Sequence, residues 1–234
     1  MYQYLKTVTT CGAAVVLGLG LFAAPADAVP VSYNSRVAFD AAAGPLAGFE
    51  DFEDLNAIMA GAAGPWNSDT DNPIVDPGDI AEGVAFDASA GGLVTGGPPD
   101  FSSIMIGANS LWEELDVIFD AGVNAVGLDI FHANGGPMSN ITVSLFDMDD
   151  ALILATQILV GSAATGGTFF GVIDDMASIG RVRVAATSGA GFELIDNVAF
   201  GSFDVTGVPT PGSLALLGLG LAGLGLARRG KKAV

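Results

Sequence analysis

From residue 83 onward the chain alternates short apolar runs with clusters of Gly, Asn, Asp and Pro, and no run keeps a helical period over a useful length. The pattern predicts strands at 83–87, 92–95, 103–107, 115–119, 124–131, 140–147, 152–160, 167–173, 180–187 and 192–201. Turn signals such as Asn134-Gly135-Gly136-Pro137 and Gly166-Gly167 punctuate them. Many short strands at regular spacing indicate an all-β fold, a β-sandwich of jelly-roll-like type. The 33 glycines, spread through the middle of the chain, fit tight turns better than long helices.

Ahead of the strands, Ser35 is placed to cap a short helix over Arg36–Ala43, with Gly44 ending it. In Phe49-Glu50-Asp51-Phe52-Glu53, strict alternation puts Phe49, Asp51 and Glu53 on one side and Phe52 on the other. That mixed pattern predicts a strand near a sheet edge. Residues 61–82 are rich in Gly, Pro, Asn and Asp and read as a long exposed loop carrying Trp66. No internal repeat is visible.

The two ends read as targeting segments. Lys6, an apolar run over residues 12–24 and the small-x-small sequence Ala26-Asp27-Ala28 predict a signal peptide over residues 1–28, cut by signal peptidase after Ala28. The apolar run is short for a spanning helix. Cys11, the one cysteine, falls in this leader, so the mature chain is expected to have no thiol. At the other end, Val208-Pro209-Thr210-Pro211-Gly212-Ser213 leads into an apolar Gly-Leu run over residues 214–227 and then Arg228, Arg229, Lys231 and Lys232. The run has no polar face and ends abruptly in charge, so it predicts a single membrane helix with its basic end in the cytoplasm.

Between the ends, residues 29–207 suit one domain with its own core. Half the chain is hydrophobic and 15% is charged, which excludes a wholly disordered chain. Charge is unevenly spread. Only Arg36, Arg181 and Arg183 fall within 29–207, against 25 acidic residues, so this stretch carries about −22. Such a surface repels phosphate backbones, and no nucleic-acid partner is expected.

A Pro-x-Pro motif, a short apolar helix and an arginine-rich end, behind an N-terminal signal peptide, together resemble the PEP-CTERM sorting signal. The resemblance covers residues 208–234 and implies processing by an exosortase-type membrane protease. Thr210 stands where that pattern has glutamate. Within the domain, Phe49-Glu50-Asp51-Phe52-Glu53, Phe169-Phe170-Gly171-Val172, Ile179-Gly180-Arg181-Val182-Arg183-Val184 and residues 192–201 resemble outer domains found ahead of such tails. That likeness implies a jelly roll related to carbohydrate-binding modules.

Candidate chemistry is sparse. First and last strands of a jelly roll are commonly neighbours, which would bring Glu50, Asp51 or Glu53 near Asp196 and Asn197. Oxygen ligands of this kind suit calcium, so Glu50, Glu53, Asp196 and Asn197 are the candidate ligands. The competing reading gives the Asp196-Asn197 pair, and the turn at 147–150, to local backbone hydrogen bonds. Trp66, in the polar loop, is the candidate platform for stacking on a sugar ring. Trp112 reads as core or strand edge. His132 reads as a turn residue. No G-x-S-x-G elbow accompanies it, and zinc would need more nitrogen or sulfur ligands. The resemblance to PEP-CTERM proteins implies a non-catalytic exported surface or matrix protein associated with exopolysaccharide. A carbohydrate-binding adhesin module and a secreted hydrolase are the alternatives.

Overall fold

The computed structural model describes residues 30–56, 61–89, 92–98, 101–110, 113–133, 138–162, 166–176, 178–187 and 193–203. Residues 1–28, read above as a signal peptide, residues 208–234, read as a sorting tail, and Trp112 lie outside the described residues. The elements are β1 (Val31–Tyr33), α1 (Arg36–Ala43), β2 (Gly48–Glu50), β3 (Gly61–Ala62), β4 (Val84–Ala88), β5 (Leu93–Gly96), β6 (Met105–Ala108), β7 (Glu114–Val123), β8 (Ala125–His132), β9 (Ser139–Asp147), β10 (Leu152–Val160), β11 (Thr168–Ile173), β12 (Ile179–Ala186) and β13 (Glu193–Gly201). Among the described residues no helix is long and apolar enough to cross a membrane.

The strands form two sheets, one ordered β1-β11-β8-β13-β6-β5-β3 with β2 also on β13, the other β10-β9-β12-β7-β4. They pack face to face as a β-sandwich. From β6 onward the order is β6-β13-β8-β11 over β7-β12-β9-β10, so the chain mostly crosses to the opposite sheet with each new strand. Alternation drives the packing. Val182 and Val184 of β12 turn inward to the core while Arg181 and Arg183 face outward, and β9 alternates likewise with Ile141, Val143 and Leu145 inside. The inward residues of both sheets form one large core around Phe52, Trp66, Phe86, Val117, Leu128 and Ile195.

The outer face of the first sheet is partly covered, which is why β8 and β13 are apolar on both sides. Helix α1 lies there. Ser35 Oγ accepts from the Ala38 amide at 3.4 Å, and Gly44, at φ 67, donates its amide to the Asp40 carbonyl. One turn apart, Phe39 and Ala43 face the sheet and are buried against Ala125 and Ala199. Phe39 can approach because Gly127 and Gly171 lie beneath it: a Cβ at either would stand 2.8 or 2.7 Å from its ring. A second outer cluster joins Met105, Phe131 and Leu194.

β13 changes partner along its length. It pairs with β8 throughout, while its other side pairs with β6 at Leu194 and Ile195 and with β2 at Val198 to Phe200. The changeover coincides with a register shift between Asp196 and Ala199, where Asn197 sits at φ 52. On the outer face of the second sheet, Arg181 pairs with Asp116 at 3.0 Å and Asp150 at 2.8 Å, and Arg183 with Asp116 at 2.8 Å and Glu114 at 2.5 Å.

Two expectations need correction. Residues 61–82 do not form an exposed loop: Trp66, Ile74, Val75 and Ile80 are buried in the main core. The polar residues between them turn inward on their own backbone. Asn72 Oδ1 accepts from the Ile74 and Val75 amides at 2.8 and 3.0 Å, and Asn67 Oδ1 from the Asp69 amide at 3.1 Å. His132 is not a turn residue but the last residue of β8, buried at 4% exposure. It continues the inward series Val126, Leu128, Ile130.

Candidate functional site

The sandwich is open along one side, where the edge strand β10 of the second sheet faces β1 and β11 of the first. A cleft of about 320 Å³ lies there, lined by Ser32, Tyr33, Asn34, Thr156, Ile158, Thr168, Phe169 and Phe170. Strand register sets which side chains enter it. Ser32 pairs with Val172 and Tyr33 with Gly171, so Ser32 turns inward with Val172, and Tyr33 turns outward with Gly171. By the same alternation Thr168 and Phe170 point in and Phe169 points out. The outward rings pack on α1, with ring centroids 5.9 Å apart for Tyr33–Phe39 and 5.6 Å for Phe39–Phe169. Arg36 caps the Phe169 ring at 4.7 Å.

The cleft interior is therefore a floor of Phe170 and Ile158 with the hydroxyls of Ser32, Thr156 and Thr168 and the amide of Asn34. None of its lining residues is charged. Thr168 Oγ1 is already engaged, donating to the Leu159 carbonyl at 3.2 Å. An apolar floor with a few neutral donors and acceptors suits a neutral, hydroxyl-rich ligand. A second cleft, of about 370 Å³, is walled mainly by Gly and Ala around Phe200, with Glu82 and Asp120. It offers few neutral side-chain donors.

Strand β2 pairs with β13, so the strands carrying the candidate calcium ligands Glu50, Asp196 and Asn197 are neighbours, with Glu50 opposite Val198. Carboxyl oxygens of Glu50, Glu53 and Asp196, however, are already engaged within the domain. Glu50 Oε1 and Oε2 accept from the Phe52 and Ala81 amides, each at 2.7 Å, which holds the turn after β2. Glu53 Oε1 accepts from the Ile104 amide at 3.0 Å. Asp196 Oδ2 accepts from Ser103 Oγ at 2.7 Å and Oδ1 from the Asn197 amide at 2.7 Å. The Asn197 carbonyl takes a bond from Arg36 at 2.7 Å, and Arg36 also pairs with Asp129 at 3.2 Å. Burial raises the Glu50 carboxyl above its ordinary range. Burial likewise pushes Asp196 up to about 6, opposed by its bonds from Ser103 and Asn197 and aided by Asp129 and Glu53. Among the described residues no group of three or more His, Cys, Asp or Glu side chains is arranged to hold a metal ion.

Trp66 is not a sugar platform. It is fully buried, pairs through its backbone with Phe86, and donates Nε1–H to the Ala63 carbonyl at 3.1 Å. The polar neighbours that made it look exposed are tied into turns. The turn at 147–150 is a local one: Asp147 Oδ1 accepts from the Asp149 and Ala151 amides at 2.9 and 2.8 Å. Val208, Pro209, Thr210, Pro211 and Gly212, expected above to form a sorting motif, the basic residues 228–232, and Ala26 and Ala28, expected to mark a cleavage site, all lie outside the described residues.

Sequence reasoning missed the cleft residues because Ser, Thr and Asn carry no chemical signature until topology gathers them. It also missed Glu193, which is fully buried, with both carboxyl oxygens lacking a hydrogen-bond partner among the described residues.

No family model matches the chain, and no curated protein matches it. Among solved structures it is similar to a family 6 carbohydrate-binding module, with 13% identity and a TM-score of 0.33 over 49% of this chain and 86% of that one. It is also similar to CsCBM6-3 from Clostridium stercorarium in complex with cellobiose, with 16% identity and a TM-score of 0.32 over 50% and 87%. A third likeness is to the K2 cleaved adhesin domain of Lys-gingipain, with 12% identity and a TM-score of 0.34 over 49% and 88%. Each likeness spans about half of this chain, and the sandwich assignment rests on the strand order, not on them.

Proposed function

We propose that this chain is an exported, non-catalytic surface protein whose jelly-roll domain holds neutral polysaccharide in the lateral cleft. The strand order β6-β13-β8-β11 over β7-β12-β9-β10 supports the jelly-roll reading. The observation that carries the functional reading is the cleft's lining: three hydroxyls and an amide over an apolar floor, uncharged, in a domain near −22. The surrounding acidity disfavours acidic polysaccharides and leaves neutral sugars as the class that fits. Signal peptidase acting after Ala28, and an exosortase-type protease acting at the Val208–Gly212 motif, would deliver the domain to the cell surface or matrix, with exopolysaccharide as its partner there.

Affinity electrophoresis through gels containing neutral or acidic polysaccharides tests this reading. Retardation by one or more neutral polymers, lost in Asn34→Ala and in Ser32→Arg, is expected. Equal mobility in every gel, or retardation unaffected by both substitutions, would reject the cleft.

A further inference from the structure

β10 is the last strand of the second sheet, and among the described residues no strand pairs with its far side. Its backbone is set to accept one. Asn140, opposite Leu159, gives its carbonyl to Thr187 on the β12 side, and the Leu159 carbonyl meets Thr168 on the side away from β9. In an antiparallel ladder these directions alternate. Ala155 and Gln157 therefore also present their amides and carbonyls away from β9.

Natural edge strands are guarded by charge, proline or bulges. β10 reads Leu-Ile-Leu-Ala-Thr-Gln-Ile-Leu-Val, with no charge or proline, and its one irregularity lies at its start, between Leu152 and Leu154. Its neighbour β9 is uncharged from Ser139 to Phe146. The paired strands β5 and β6 are also uncharged but four residues each, so in a domain with 25 acidic residues β9–β10 is the longer uncharged ribbon. The outward Leu159 is 51% exposed and Leu152 is 59% exposed.

We infer that β10 pairs with β10 of a second copy, antiparallel about a two-fold axis at Thr156. Two features of the strand select a second copy over another partner. First, the sequence past the bulge at Ile153 is self-matching about Thr156: Leu154 meets Ile158, both packed on the inner core, Ala155 meets Gln157, both exposed, and Thr156 meets itself. A two-fold interface requires such matching of a patch with itself. Second, the acidic turn Asp147, Asp149, Asp150 lies at one end of β10, while Gly161, Ser162, Gly166, Gly167 and Thr168 follow the other. Antiparallel pairing sets each acidic turn beside the partner's uncharged end, about 30 Å from the partner's own acidic turn. The pairing joins the two five-stranded sheets into one of ten. It also places the two clefts side by side, since Thr156 and Ile158 line them.

The test is the mass of the full chain, purified in a mild non-ionic detergent, by size exclusion with light scattering from about 1 to about 100 µM. Two double variants accompany it, Ala155→Glu with Gln157→Glu and Ala155→Lys with Gln157→Lys. Both positions are exposed and lie outside the cleft. The wild type is expected to reach two chains, each variant to stay at one, and an equimolar mixture of the variants to return to two. That recovery also shows both variants are folded. A wild type at one chain throughout, assemblies beyond two, variants that keep the wild-type mass, or a mixture that stays at one chain would overturn the inference.

Discussion

Glu193 of β13 and His132 of β8 stand directly opposite each other, both turned into the space between the sheets and both buried. Burial pushes the Glu193 carboxyl up to about 8. The backbone amides of Glu193 and Ala186 oppose the shift without reaching hydrogen-bond geometry, and the charges of Glu113 and Glu114 add to it. At neutral pH this side chain is a neutral acid lodged at one end of the core.

A pH dependence follows. The unfolded carboxyl loses its proton near 4.5 and the folded one near 8, so between those values the folded state binds more protons. Stability is fully present below about 4.5 and is lost as pH rises through about 8, by an amount on the order of a few kcal/mol. Asp196, raised to about 6, contributes in the same direction over a narrower window. Thermal unfolding should give a higher Tm at pH 5 than at pH 8, and Glu193→Gln should flatten most of that difference. A Tm that rises with pH over this range, or an unchanged slope in the variant, would contradict the assignment.

Trp66 provides a different contrast. As a fully buried core residue, its replacement by Ala should cost about 3–5 kcal/mol in chemical unfolding. The surviving folded protein should bind polysaccharide as the wild type does. Loss of binding with stability unchanged would restore the sugar-stacking role rejected above.

For the ends, the informative quantity is the intact mass of the protein from membrane, envelope and medium fractions of its host. Export and sorting predict loss of residues 1–28 in all fractions and loss of the segment beyond about residue 211 in the released form. A full C-terminus, found only in membranes, would make residues 214–227 a plain anchor despite the PEP-CTERM resemblance.

Much of the sandwich was legible because its signals are local. The helix bounds at Arg36 and Ala43 follow from Ser35 and Gly44, and β10 occupies the predicted residues 152–160, set between a turn and a glycine. The three-residue β1 and two-residue β3 carry too little pattern to announce themselves. Trp66 and His132 were misplaced for one reason: polar neighbours resemble exposure when their hydrogen bonds go to their own backbone or when the strand continues inward past its apolar run. The cleft was illegible because Ser32 and Asn34 meet Thr156 only after the chain has crossed between sheets several times.

The central claim, that the lateral cleft holds neutral sugar, is tested most directly by calorimetric titration with neutral oligosaccharides cut from the host's exopolysaccharide. Wild type and Asn34→Ala would be compared after matching their Tm. The account predicts saturable binding by the wild type and at least a tenfold loss in the variant, about 1.4 kcal/mol. No binding by the wild type, or equal affinity in both, would contradict it.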